Sequence, residues 1–347
     1  MVMLTVDPLI DANWMLLLKR HRSCVFHSPA WLRVLAETYE MDIGANILLD
    51  LEGAPVAGMP FARICDARGE RIVSMPFCDY CDPLVGGIEH WNVLVEALMG
   101  EHHPVALRCL HTDVPLSDSR FSEVKCARWH RIDLRAGQDA LWERIEDPAR
   151  RAIHKAQADG VSIRPARDLD DVRRFFELHL RVRKYKYQMI AQPFRFFERI
   201  WHHFLEAGQG VLLLAEQGSG IVGATLLLQW QDTLYYKFNA SDLSHLDCRP
   251  NDLLVWEAMR WAKAHGLEWL DFGLSDWDQE GLIRFKRKFG AEEKTIHFLR
   301  CTNGSVDHPW QRNFGSMLSQ LTELFTSGST PDAVTEKAGD LLYRYFA

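Results

Sequence analysis

Apolar and polar positions follow two rhythms along this chain, one of about 3.6 residues and one of two, and the second half shows them most clearly. Val172, Phe175, Phe176, Leu180 and Val182 recur at helical spacing and predict a helix over residues 169–187, preceded by a short strand over 161–165. Pro193 opens a second helix to residue 204, closed by Gly208 and Gly210. Three apolar runs, 211–216, 221–230 and 233–239, read as antiparallel strands turned at Gly218-Ser219-Gly220 and Gln231-Asp232. Pro250-Asn251-Asp252 starts a helix that runs to His265, with Gly266 as its stop. A strand over 267–272, a short helix carrying Phe285 and Lys286, and a strand over 294–300 complete this half.

The first half repeats that order more weakly. Residues 30–39 read as a helix, 46–51 and 55–62 as a hairpin about Glu52-Gly53, and 71–74 as a third strand. A helix over 89–98 and strands over 105–110 and 129–133 follow. The helix with residues 150–158 links the halves. Beyond Pro309, helical patterns over 310–325 and 331–346 are joined by Thr326-Ser327-Gly328-Ser329-Thr330. Leu341, Leu342, Tyr345 and Phe346 are expected to cap the core or a partner subunit.

Length and composition narrow the class. A chain of 347 residues accommodates two domains, and 47% hydrophobic with 25% charged residues is ordinary for a globular protein. No apolar run approaches the roughly 18 residues of a membrane helix, and residues 1–11 lack the basic and apolar regions of an export signal. A cytoplasmic protein is expected, with its eight cysteines as free thiols. Cys78-Asp79-Tyr80-Cys81 has half the spacing of a zinc site but no second ligand pair, so no metal is expected. Net charge is −7, yet residues 144–199 hold fourteen Lys and Arg against eight Asp and Glu. Such a basic island suits phosphates or simply coats solvated helices.

Asp271-Phe272-Gly273-Leu274-Ser275-Asp276, followed by residues 281–290 (GLIRFKRKFG), puts a carboxylate at the end of a strand and a cation one helix later. The G-L-x-x-F-K-x-x-F-G block resembles a signature of the Fem-type aminoacyltransferases and their relatives in the GNAT superfamily. Residues 150–161 resemble that family's R-x-x-I-x-K-A-x-x-x-G-V turn, and Pro76-Phe77-Cys78-Asp79-Tyr80 resembles its P-x-x-D-Y element. The resemblance implies an α/β (α+β) fold of two tandem GNAT-like acyltransferase domains, residues 1–140 and 141–305. Each has a mixed central sheet flanked by helices, and C-terminal helices occupy 306–347. It departs from the family at Trp31-Leu32-Arg33-Val34-Leu35, where members acting on nucleotide-linked peptidoglycan precursors carry a lysine at the Leu35 position. The glycine-rich pyrophosphate loop of acetyl-CoA enzymes is also missing from residues 244–251.

The chemistry implied is amide formation, with an acceptor amine attacking an activated acyl donor, either aminoacyl-tRNA or acyl-CoA as co-substrate, with no tightly bound cofactor. No G-x-S-x-G elbow is present and no cysteine shows a histidine partner at a telling spacing, so direct attack is expected rather than a covalent intermediate. Asp79 is the candidate for orienting or deprotonating the amine. Lys286 would meet donor phosphate or the oxyanion, with Phe285 packed beside the donor and Asn239 and Tyr236 near the acyl carbonyl. Asp271 either joins them or caps the following loop. Arg151, Lys155, Arg183, Lys184, Arg249 and Asn251 are candidates for donor phosphates. Lys286 is expected to be dispensable for folding, because no packing duty is visible for it. The acceptor would be a small molecule, glycan or peptide amine in cell-envelope, polysaccharide or natural-product synthesis, and charged tRNA a partner. The competing readings are acetyl-CoA-dependent N-acetylation of an amino sugar and a non-catalytic GNAT-fold binding protein.

Overall fold

The computed structural model describes residues 1–305 and 309–347. The chain divides into two compact units, residues 1–128, 294–318 and 347 in the first and residues 129–293 and 319–346 in the second.

The first unit opens with β1 (Val2–Val6), α1 (Ala12–Arg20), α2 (Pro29–Tyr39), β2 (Asp42–Leu49), β3 (Pro55–Asp66), β4 (Gly69–Val73), α3 (Ile88–Met99) and β5 (Val105–Cys109). Strands β1 to β4 form an antiparallel meander, and β4 pairs parallel with β5. The β2–β3 turn closes because the Asp50 carboxylate accepts the amides of Glu52 and Ala54, each at 2.9 Å, while Gly53 takes a φ of +81°. Trp91, Val95 and Leu98 of α3 pack on Met59, Phe61, Ile72, Val105 and Leu107. Helix α1 is capped by Asp11, whose carboxylate accepts from Asn13 N and Trp14 N, and it buries Trp14, Leu17 and Leu18.

Strand β6 (Ser122–Asp133) enters the second unit at Trp129, followed by α4 (Gln138–Arg144), α5 (Asp147–Ala158) and β7 (Ser162–Pro165). Helices α6 (Leu169–Arg181) and α7 (Phe194–Ile200) each continue as one π-helical segment, Val182–Lys186 and Trp201–Leu205. Strands β8 (Gly210–Gln217), β9 (Gly220–Trp230) and β10 (Thr233–Ser241), helix α8 (Pro250–Ala264), strand β11 (Trp269–Ser275) and helix α9 (Glu280–Arg287) follow. Strand β12 (Glu292–Cys301) returns to the first unit beside β5, and α10 (Pro309–Thr326) and α11 (Asp332–Leu342) end the chain. The second unit's sheet runs β7-β8-β9-β10-β11-β6, antiparallel from β7 to β10 and parallel between β10 and β11. The architecture is mixed α/β with mixed sheets flanked by helices, as the sequence reading expects. The tail differs from expectation. Leu318, Ala338 and Tyr343 are buried, whereas Leu341 and Phe346 are exposed and Leu342 and Tyr345 half-buried.

The second unit's core has two sides. Ile153 and Ala156 of α5 and Leu254, Ala258 and Met259 of α8 pack with Val211, Leu213 and Ala215 of β8. Phe175, Phe196, Phe197 and Phe238 form an aromatic cluster with α6 and α7. His179 sits in that cluster, its ring 5.1 Å from Phe197 and 5.7 Å from Phe238, with Nε2 donating to Gln192 Oε1 at 2.8 Å. Burial pushes this imidazole down to about 3, with Arg183 adding to the effect and Gln192 opposing it.

A pH dependence follows. The unfolded chain protonates its histidine near 6.5, whereas the folded one stays neutral far below that. This stability is therefore fully present above about pH 6.5 and falls as pH drops toward 3. Between about pH 7.5 and about pH 5 we expect a loss on the order of 2 kcal/mol from this residue, read by urea denaturation. His179→Gln should flatten that slope; an unchanged slope in a folded variant would refute the assignment.

Candidate active site

Strands β10 and β11 supply the geometry that distinguishes the second unit. Among the described residues their parallel pairing runs only from Thr233–Trp269 to Tyr235–Asp271, although β10 continues to Ser241 and β11 to Ser275. Beyond Tyr235 the two strands diverge. A divergent pair leaves backbone groups on the facing edges without each other, and in an open sheet that position invites a ligand.

A bulge in β10 sets which side chains border the divergence. The register with β9 shifts between Tyr236 and Phe238, so Lys237 is the extra residue. In a regular strand Tyr236 and Phe238 would share a face. Here Tyr236 packs on the α5–α8 core, with its ring 5.3 Å from Phe272, and Phe238 enters the aromatic cluster on the other side. Burial raises the Tyr236 phenol well above its usual range, so it stays protonated and able to donate. Further along, Asn239 Nδ2 donates to Thr225 Oγ1 at 2.9 Å and to Asn251 Oδ1 at 3.1 Å, and Ser241 Oγ donates to the same Asn251 oxygen at 2.6 Å. Tyr236, Asn239 and Asn251 thus belong to one neighbourhood. Arg249, exposed and with a φ of +56°, makes the turn into α8 just before Pro250.

The other edge is held by side chains. Asp271, 2% exposed, accepts from Gly273 N at 2.6 Å and from Trp129 Nε1 at 2.9 Å. Gly273 has a φ of +65°, a bend inside the strand that favours glycine. Lys286 Nζ donates to the carbonyls of Gly273 at 3.0 Å and Leu274 at 2.8 Å. Phe285, half-buried, packs on the core and meets Phe289 at 5.5 Å. Lys288 pairs with Asp252 in the first turn of α8, tying α9 to α8. Burial raises the Asp252 carboxyl and Lys288 opposes that rise.

These contacts correct the expectations for Lys286 and Lys184 and bear on the open choice for Asp271. Lys286 is not a solvated cation without packing duty; it is 3% exposed and bonded to two backbone carbonyls. Asp271 takes the loop-capping role, since its oxygen holds the Gly273 amide. Lys184 is fully buried, donating to Thr330 O and paired with Asp332 at 2.8 Å, so its charge is already met. The basic island is extensively ion-paired. Arg164 binds Asp171 and Glu216, Arg173 binds Glu336, Lys155 binds Asp159, and Arg150 binds Asp147. Arg183 donates to Ile190 O at 3.2 Å, and Arg151 is exposed on α5.

Asp79 lies in the first unit, half-buried between Cys78, whose thiol donates to Met75 O at 2.9 Å, and buried Tyr80. Sequence reasoning missed several groups. Trp129 fixes Asp271. Ser275 Oγ is buried without a hydrogen-bond partner among the described residues, as is His130 Nδ1. Burial and the neighbouring Lys286 charge bring His130 down to about 4, against the pull of Glu293. A cavity of about 410 Å³ is lined by Arg181, Tyr185, Ser241, Asp242, Ser244 and Asp332 among others. None of these follows a local sequence pattern, because each arises from strands brought together by the sheet.

Removing the Lys286 ammonium leaves two buried carbonyls unpaired, at a cost of about 1–3 kcal/mol. Lys286→Met is therefore expected to lower the urea midpoint measurably. A shift below about 0.5 kcal/mol, typical of surface substitutions, would contradict the bonded role.

Residues 147–287 match the family described as Acetyltransferase (GNAT) domain. No curated protein matches the chain. Among solved structures, FemX aligns at 14% identity with a TM-score of 0.67, covering 86% of this chain and 97% of that one. A tandem GNAT protein from the clavulanic acid biosynthesis pathway aligns at 12% identity and 0.59, covering 88% and 100%. L-PGS from Bacillus licheniformis aligns at 11% identity and 0.55, covering 92% and 98%. At these identities the structural likeness is one of fold, and the family likeness is confined to residues 147–287.

Proposed function

We propose that the second unit binds an activated acyl donor where β10 and β11 diverge, and that the protein transfers the acyl group to an amine, forming an amide. The observation that carries this reading is the end of strand pairing at Tyr235 and Asp271. Past that point the β10 edge offers backbone donors and acceptors to an extended ligand, as a missing strand would. The donor's acyl carbonyl lies along that edge near the Tyr236 phenol, whose proton stabilises the developing oxyanion, while Asn239 holds Thr225 and Asn251 in place beside it. Attack by the neutral amine forms the tetrahedral species, and its collapse expels the donor's thiol or ribose hydroxyl. Arg151, Arg249 and the first amides of α8 are the candidates for donor phosphates. Lys286 and Asp271 act by shaping β11 rather than by touching the donor.

The donor is acyl-CoA or aminoacyl-tRNA. The turn into α8 favours a mode other than the usual glycine loop, since residues 243–248 form a 3₁₀ segment and Arg249 and Pro250 occupy the helix start. The biosynthetic setting is the cell envelope, a polysaccharide or a natural product, the last being what the tandem GNAT neighbour serves.

The test is transfer of labelled acyl groups from acetyl-CoA and from a charged-tRNA pool to an amine panel. One donor is expected to support turnover, and Asn239→Ala to slow it by roughly 10- to 100-fold with little change in thermal midpoint. Donor binding without transfer to any amine would favour a binding protein, and binding of neither donor would remove the acyl-transfer reading.

A further inference from the structure

The first unit contains a buried sulfur–imidazole cluster that acyl transfer does not use. Cys24 precedes the short 3₁₀ turn Val25–His27, and Cys81 follows Tyr80. Cys24 Sγ lies 3.0 Å from His27 Nδ1, and Cys81 Sγ lies 3.6 Å from His27 Nε2. The two sulfurs thus flank one imidazole ring. His27 Nε2 donates to the Asp82 carbonyl at 2.8 Å, which fixes the ring and turns Nδ1 toward Cys24. This corrects the expectation that no cysteine has a histidine partner.

The two thiols are not equivalent. Burial opposes a charge on Cys24, but neighbouring Cys81 and the facing imidazole outweigh it and lower the Cys24 thiol below its ordinary value. Burial pushes the Cys81 thiol up. Cys24 is the sulfur nearer the imidazole, 3.0 Å against 3.6 Å for Cys81, so His27 is placed to draw off the Cys24 proton first. That is the arrangement of an attacking and a resolving thiol. Cys24 retains 4% of its surface and Cys81 none, so a small oxidant meets Cys24 first. The Cys78 thiol donates to Met75 O.

We propose that Cys24 and Cys81 are the site of a reversible disulfide, formed with a peroxide as oxidant. The Cys24 thiolate attacks one peroxide oxygen and the O–O bond breaks. The departing oxygen takes the proton held by His27 and leaves as water, which makes Cys24 a sulfenic acid. Cys81 sulfur then attacks Cys24 sulfur, the S–O bond breaks, and the hydroxyl leaves as water with the Cys81 proton. Two thiols are oxidised, one peroxide is reduced, and two waters form. The bond ties the segment 76–82, and with it Asp79 two positions from Cys81, to the turn that precedes α2. Tyr80, packed between Phe26 at 5.8 Å and His111 at 5.4 Å, is the side chain that must adjust.

The test treats the folded full chain with hydrogen peroxide, alkylates the remaining thiols, and maps unreduced peptides by mass spectrometry. A Cys24–Cys81 linked pair is expected, released by reductant, while Cys78 is alkylated once the chain is unfolded. Cys81→Ser should abolish the link, and His27→Gln should slow loss of the Cys24 thiol by roughly tenfold or more. Exposed Cys65 and half-exposed Cys126 report on accessibility alone. Their consumption while Cys24 and Cys81 remain alkylatable in the unfolded chain would overturn the proposal. The wild-type map decides the matter even where a variant fails to fold.

Discussion

A strand that leaves its neighbour must find other partners for its backbone, and β11 finds them in two side chains. The Asp271 carboxylate takes the Gly273 amide, and the Lys286 ammonium takes the Gly273 and Leu274 carbonyls. Together they replace part of the ladder that β10 provided up to Asp271. The substitution is costly to assemble, because a carboxylate and an ammonium are both taken out of water. It is stable because each charge is met by short hydrogen bonds to fixed backbone dipoles. Trp129 completes the arrangement from β6 by holding the same carboxylate oxygen.

The asymmetry this creates is what gives the second unit a candidate site. The backbone of β11 at Gly273 is already engaged, while among the described residues β10 continues past the Lys237 bulge after its pairing with β11 ends at Tyr235. The bulge sends Tyr236 and Phe238 to opposite faces, so one strand anchors both halves of the core while leaving its edge open. The ion pair between Lys288 and Asp252 couples α9 to the start of α8, so both helices after the diverging strands are fixed to one another. Rigid elements around a deliberately incomplete sheet make a preorganised site.

Much of the fold is legible in the sequence because it is periodic. The β8–β9–β10 meander and α8 appear in the apolar spacing with the Gly218–Gly220 turn and Pro250 at their ends. The resemblance in residues 281–290 pointed to α9. Helix α1 was also written there, in Asp11 followed by Trp14, Leu17 and Leu18, but no strong turn signal framed it. The role of Lys286 was not legible. Its sequence neighbours, Arg284, Arg287 and Lys288, suggest a solvated basic helix, and only the bend at Gly273 supplies carbonyls for it to bond. Lys184 was hidden the same way, since its partner Asp332 lies far along the chain. The Cys24–His27 contact is local, yet its meaning depends on Cys81, which the sheet brings back.

The most direct test of the central claim is hydrogen exchange of the second unit's amides with and without a tightly bound acyl-CoA or aminoacyl-tRNA analogue. Donor binding along the open strand edge predicts slowed exchange in residues 236–241 and at the start of α8. The Gly273 amide, already held by Asp271, should be protected in both states. Protection confined to other elements, or a Gly273 amide that exchanges freely until donor is added, would contradict the account.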